Sequence, residues 1–331
     1  MMANYQYSSD LIDDILFRAG ELTDGTSDFN AVALTYLNRA YQALWMGGGA
    51  VVPSLNELWW WLRKYPPGTL ILEPVIETGT VSVTNNNSAI TFSSAPTKDL
   101  DNWFFKVDDH ADIFRISAHT ANATGATLDS VYTGDTDTAA DYKAFKLEYD
   151  LATDLLKVIS PMRAYQDGRS EIYGMDLRAL EAQWPLRLAN SGVPRAFAIV
   201  REKHDQASKT ITVRFSHYGG TSSTDLIRVE YDYFFRPSVL TDSGSEEPVV
   251  PWEYRKLLSD VGLFFLHQDK DDNRAEGVGR LAQAGVRAMA QENLSRLVAM
   301  GKDFGRIKVW PEDRVKRLEP LRTETGLIVS G

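Results

Sequence analysis

A chain of 331 residues with 44% hydrophobic content can bury a sizeable core, which excludes a disordered tail and allows two or three domains. A formal charge of -10 and a pI near 5.1 argue against a protein that coats nucleic acid by neutralising phosphates, but leave room for an acidic wall that must not stick to DNA. The chain has no cysteine, which removes disulfides, Cys-based zinc sites and thiol nucleophiles, and five histidines make a His-rich metal site a poor expectation.

The N-terminus, MMANYQYSSDLIDDILF, has no basic region followed by an apolar one, so no secretory signal is expected. No apolar run approaches the length of a spanning helix, so no membrane is expected either, and synthesis is expected in the cytoplasm. Ser8 or Ser9 can cap a helix in which Leu11, Ile12, Ile15, Leu16 and Ala19 recur at helical spacing, with Gly20 as the stop. Ser27 can cap a second helix, DFNAVALTYLNRAYQALW, which the glycines at 47–49 end. A third helix is expected at LNELWWWLRKYPPG, where Ser54 and Glu57 have the capping-box spacing. Trp59, Trp60 and Trp61 cannot all face one narrow stripe of a helix turning about 100° per residue. They are therefore candidates for a domain or subunit interface.

At Pro66-Pro67-Gly68 the hydrophobic period changes from helical to alternating. TVSVTNNNSAITFSS reads as a hairpin around an Asn-rich turn. Strands are predicted at WFFKV, ADIFRISA, ATLDSVYTG, YKAFKLEYDL, LKVIS, EIYGM, PRAFAIV, KTITVRFS and LIRVEYDYFFRP, with a short helix, DLRALEAQW, at 176–184. Helices return after Pro251, as PWEYRKLLSDVGLFFLHQ and the Ala-rich NRAEGVGRLAQAGVRAMAQENLSRLVAMG. The last stretch alternates apolar islands with charge and reads as an arm that gains structure on a partner.

The expected fold class is therefore α+β. N- and C-terminal helices at 1–61 and 248–300 form one helical domain, an antiparallel β-sandwich or barrel is inserted at 62–247, and an extended arm follows at 301–331. Residues 252–322 hold 14 Lys or Arg against 11 Asp or Glu, so the C-terminal part differs electrostatically from the acidic remainder.

Signals for chemistry are sparse. The Gly277-x-Gly279 pair lies inside a helical pattern and follows no strand, so helix packing explains it better than a nucleotide loop, and no P-loop occurs. Asp108, Asp109, His110 and Asp112 could recruit a metal or act as acid and base, but between two strands they read first as turn residues. The acidic stretch 268–277 lacks the ligand spacing of a calcium loop. No Gly-x-Ser-x-Gly elbow is present. The stripe Tyr231, Tyr233 and Phe235 suits the face of a sandwich better than a sugar site. No catalytic residue, cofactor or metal is expected. The competing readings are a carbohydrate-binding attachment protein built on the β domain, and a glycoside hydrolase or peptidoglycan lyase.

Four stretches, in order, resemble the head-to-tail adaptor proteins of tailed bacteriophages, the neck or tail-tubular family. They are LIDDILFRAGEL with DFNAVALTYLNRAYQAL; the segment from TVSVTNNNSAITFS to YKAFKLEYDL; the closing strands through PVVPWEYRKLL; and NRAEGVGRLAQAGVRAMAQEN. The resemblance spans most of the chain as one of order and texture, and does not extend to the triple Trp or the residues after 300.

It implies a structural virion protein at the head-tail junction, not an enzyme. Subunits of this kind form a closed, heterologous homo-oligomeric ring of about twelve copies. The ring docks under the portal protein, receives the tail nozzle or next tail component, and passes genomic DNA through its bore without reading sequence. The basic stretch with Arg306, Lys308, Trp310, Arg314, Lys316 and Arg317 is the expected portal contact, and the β domain the expected tail contact.

Overall fold

The computed structural model describes residues 5–21, 29–47, 58–166, 168–204, 209–220, 226–241 and 246–300. The protein is α+β. Its helices are α1 (Ser8–Ala19), α2 (Phe29–Met46), α3 (Leu177–Gln183), α4 (Lys256–Asp269) and α5 (Arg274–Met300). Its strands are β1 (Gly68–Leu72), β2 (Val81–Val83), β3 (Ala89–Phe92), β4 (Phe104–Val107), β5 (Phe114–His119), β6 (Gly125–Leu128) and β7 (Asp137–Ala140). They continue with β8 (Tyr142–Phe145), β9 (Glu148–Asp150), β10 (Leu155–Tyr165), β11 (Arg169–Gly174), β12 (Ala196–His204), β13 (Lys209–Phe215) and β14 (Ile227–Phe235). Two compact units result, one from residues 1–62 and 237–331 and one from 63–236.

In the helical unit α4 is buried on nearly every side, from Leu257 to Phe264 and again at Leu266 and His267, because α1, α2 and α5 all pack on it. Gly262 makes that approach possible: a Cβ there would lie 3.0 Å from Ile15 Cδ1. Polar ties fix the order of the helices. Arg18 reaches Asp260 at 2.5 Å, Ser259 donates to Asp14 at 2.6 Å, and Arg39 pairs with Asp269 at 2.8 Å. Helix α1 is capped differently from expectation: Ser8 is its first helical residue, and the Asp10 carboxylate accepts from the N–H groups of Gln6 and Tyr7. Gly20 ends it in the left-handed region at φ 84°, as its place after the apolar stripe predicts. The proposed cap Ser27 lies outside the described residues. Part of the stretch after β14 that the sequence reading gave to the β domain bonds to helices: Leu240 exchanges hydrogen bonds with Asn38, and Ser8 N–H donates to Glu246 O.

The β unit holds two seven-stranded sheets, where the sequence suggested one sandwich or barrel. The first runs β1-β14-β10-β11-β12-β13-β9, antiparallel except where β11 meets β12. Its outer strands come together where Glu73 N–H, just past β1, donates to the Tyr149 hydroxyl of β9 at 2.7 Å. All seven strands send apolar side chains into one core, among them Leu72, Tyr149, Met162, Ile172, Phe197, Val213 and Val229. The second sheet runs β7-β2-β3-β6-β5-β4-β8. Its two outer strands are separated in the chain by Asp141 alone, so the sheet must roll up, around Val81, Ile90, Phe92, Phe105, Ile116 and Tyr142.

The predicted strand YKAFKLEYDL is cut in two by Lys146 and Leu147: β8 belongs to the smaller barrel and β9 to the larger. A third cluster, Val75, Phe104, Phe145, Leu147 and Tyr218, fills the junction. Beside it Glu148 binds Arg115 of β5 and Arg214 of β13, the latter at 2.7 Å.

Candidate functional site

The residues singled out by sequence are the three tryptophans, and each has a distinct place in the helical unit. The run is not an α-helix. Residues 58 and 59 are irregular and Trp60–Leu62 form a 3-10 turn, whose tighter winding of about 120° per residue sends successive rings still further apart. The expected cap at Ser54 lies outside the described residues. Trp59 is fully buried and its indole N–H donates to Leu44 O at 2.5 Å. Trp61 is buried and stacks on Trp59, with centroids 6.4 Å apart and planes at 18°. Trp60 is half-buried. Its backbone N–H donates to Asn293 Oδ1 at 2.8 Å, and the Arg296 guanidinium lies 4.2 Å above its ring.

Around Arg296 a polar cluster ties the turn Trp252–Tyr254 to α5. Arg296 bonds Glu292 and faces Glu253 at 3.6 Å, while the Tyr254 hydroxyl donates to Glu292. That bond, then burial, pushes the Tyr254 hydroxyl up to about 12, and bonds from Tyr254 and Arg296 hold the Glu292 carboxyl below its usual range. The cluster is thus closed on itself by its own hydrogen bonds and ion pairs. It holds the Trp252–Tyr254 turn against α5.

Next to it in sequence, Trp252 is 78% exposed. A free Trp at the head of a short turn fixed by Pro251 is the kind of ring that binds protein partners, since its large apolar area can be covered at small entropic cost. Phe17 on α1 and Leu281 on α5 are also largely exposed apolar residues of this unit. Sequence reasoning passed over Trp252. The signal was its position directly after Pro251, ahead of the buried stripe of α4, where no helix face claims it.

The other candidates resolve into structure. Asp108 to Asp112 form the turn between β4 and β5: Asp112 N–H donates to His110 Nδ1 at 3.1 Å, Thr133 donates to Asp112, and the His110 ring stacks on Phe114. In 268–277, Asp271 takes the left-handed region at φ 52° and Asp272 binds Arg274 at 2.7 Å. Of the Gly277-x-Gly279 pair only Gly279 is a close-packing site, against Phe264; Gly277 has nothing within 4 Å, and Gly285, which the sequence reading did not single out, lies against Leu257. Tyr231 and Tyr233 are buried in the larger barrel, and Phe235 lies beneath Lys64. Among the described residues no group of His, Asp and Glu could hold a metal ion, and no helix is long and apolar enough to cross a membrane. Arg306, Lys308, Trp310, Arg314, Lys316 and Arg317 lie outside the described residues. No known protein family matches the chain, and neither does any curated protein.

Proposed function

We propose that this chain is a structural head-to-tail adaptor of a tailed bacteriophage. Copies form a ring of about twelve at the head-tail junction, dock under the portal, and continue the DNA channel toward the tail. The observation that carries the reading is the order of the chain: helical segments from both ends supply one compact unit, and the β segment between them supplies another. In this reading the helical pieces are one domain and the two barrels form the inserted β domain. Charge supports it as well. Residues 74–145, the smaller barrel and its approaches, hold ten acidic against four basic residues, a net charge of -6, suited to a surface that repels phosphate.

The helical unit with Trp252 and the basic stretch Arg306 to Arg317 is assigned to the portal side, and the barrels to the tail side. Trp59 and Trp61 act as internal anchors for that helical unit. The ring and its docking are tested by mixing the purified chain with portal assemblies and imaging by electron microscopy. Added density on one face of the portal is expected, lost on deletion of 301–331 while the truncated chain keeps its circular dichroism. Full docking by the truncated chain overturns the portal assignment, and no docking by the intact chain overturns the adaptor reading.

A further inference from the structure

Two helix faces of the helical unit look away from each other across α4. Helix α1 meets α4 at Ser259 and Gly262, where Ser259 donates to Asp14 at 2.6 Å and a Cβ on Gly262 would lie 3.0 Å from Ile15 Cδ1. Helix α5 meets it at Leu257 and Phe264, which lie against Gly285 and Gly279. Leu257 and Ser259 are two residues apart, as are Gly262 and Phe264, and two residues turn a helix by about 200°. The sides of α1 and α5 turned from α4 therefore point in different directions, and one copy cannot bring them together.

Each side has what the other lacks. Helix α1 buries Leu11, Ile12, Ile15 and Leu16, which leaves Asp13 and Phe17, one turn apart, toward solvent. Phe17 is 77% exposed. The charged neighbour of Asp13 is another carboxylate, Asp10, and no cation pairs with Asp13 among the described residues. Helix α5 buries Ala282, Val286 and Met289, so Leu281, Ala284 and Ala288 fall on its solvent side with Arg287 beside them. Leu281 is 66% exposed, and the two alanines leave room next to it for a ring. Arg287 has no acidic partner among the described residues, whereas Arg280 on the same side is held by Glu276. A protruding ring beside a free carboxylate is thus matched by a shallow apolar seat beside a free guanidinium.

We infer that copies of this chain associate through these two faces, with Phe17 of one copy seated on Leu281, Ala284 and Ala288 of the next and Asp13 paired with Arg287. The occupant is a second copy because the two faces complement each other in charge and shape. Their placement on different sides of one unit lets each copy join two neighbours, as a heterologous interface requires. The inference rests on the ring reading, whose subunit contact it names.

The chain's lack of cysteine makes the test direct. Full-length Asp13→Cys and Arg287→Cys are oxidised under mild conditions, separately and mixed, with and without portal assemblies, and scored by non-reducing gel and mass spectrometry. The thiols replace the charge pair, which orients the contact, and leave the ring that fills it. The mixture should give a covalent dimer on the order of ten-fold faster than either variant alone, and than Asp13→Cys mixed with Val131→Cys, an exposed site in the smaller barrel. Adding Phe17→Ser to the Asp13→Cys chain, at a site already open to solvent, should remove that advantage without changing circular dichroism. A mixture that links no faster than these controls in either condition, or an advantage that survives Phe17→Ser, overturns the inference. Rings seen on the portal without the link would overturn it and leave the adaptor reading standing, whereas the link without density on the portal would uphold it and sink that reading.

Discussion

The indole N–H of Trp59 donates to the carbonyl oxygen of Leu44 at 2.5 Å, close to the last turn of α2. A helix end leaves its final carbonyls without partners, and here a buried side chain supplies one. Trp59 therefore both fills the core and closes a backbone bond, which neither of its neighbours does. Trp59→Ala should destabilise the helical unit by about 3–5 kcal/mol, and Trp60→Ala, which uncovers a half-buried ring and one cation contact, by about 1 kcal/mol. Urea unfolding followed by helical circular dichroism checks the ranking. Equal losses would mean that Trp60 is covered by something other than Arg296.

Glu148 receives two guanidinium groups, from Arg115 on the smaller barrel and Arg214 on the larger, with its side chain 8% exposed. Glu148→Gln leaves Arg115 short of a counter-charge and Arg214 with Glu181 alone, and because both guanidinium groups reach solvent in part the expected cost is about 1–3 kcal/mol, below that of breaking a fully buried pair. The expected result is an earlier unfolding transition of the β unit, read by near-ultraviolet circular dichroism.

Two glycine substitutions should go in opposite directions. At Gly68 an added Cβ would lie 2.3 Å from the buried Tyr231 ring, so Gly68→Ala should cost about 1–3 kcal/mol. At Gly277, inside α5, nothing lies within 4 Å, and Gly277→Ala should stabilise by about 0.5–1 kcal/mol through better helix propensity. Thermal unfolding of the two variants gives the signs.

His267 is almost fully buried, 3.2 Å from the Asp272 carboxylate. Burial, then Arg274, lowers its pKa below 6.5 despite that carboxylate. The unfolded chain therefore binds the extra proton first, so this histidine's contribution is present above pH 6.5 and is lost as pH falls toward its folded value. Stability should decline between pH 6.5 and 5 by more in the parent than in His267→Gln. Parallel declines in urea titrations would remove His267 as the cause.

Local sequence rules went furthest where they act locally. Gly20, Asp176 and the helical stripe of α1 mark ends and faces by short-range sterics and hydrogen bonding, and the structure places them there. Strands β1 and β7 were missed. GTLIL follows a Pro-Pro-Gly turn, and DTAA is three-quarters exposed with no apolar alternation, so each is a strand because a neighbour pairs with it. The break at Lys146 and Leu147 was hidden for the same reason, since the alternating period runs on across a change of sheet. Trp252 was legible as an exposed ring only once the neighbouring α4 stripe was seen to be complete without it.

The most direct measurement of the central claim is electron microscopy of particles assembled from the parent phage genome with this gene interrupted. The head-to-tail reading expects heads without tails, many emptied of DNA, restored when the gene is supplied in trans. Intact tailed particles that fail only to adsorb or infect would contradict it and would move the protein to attachment.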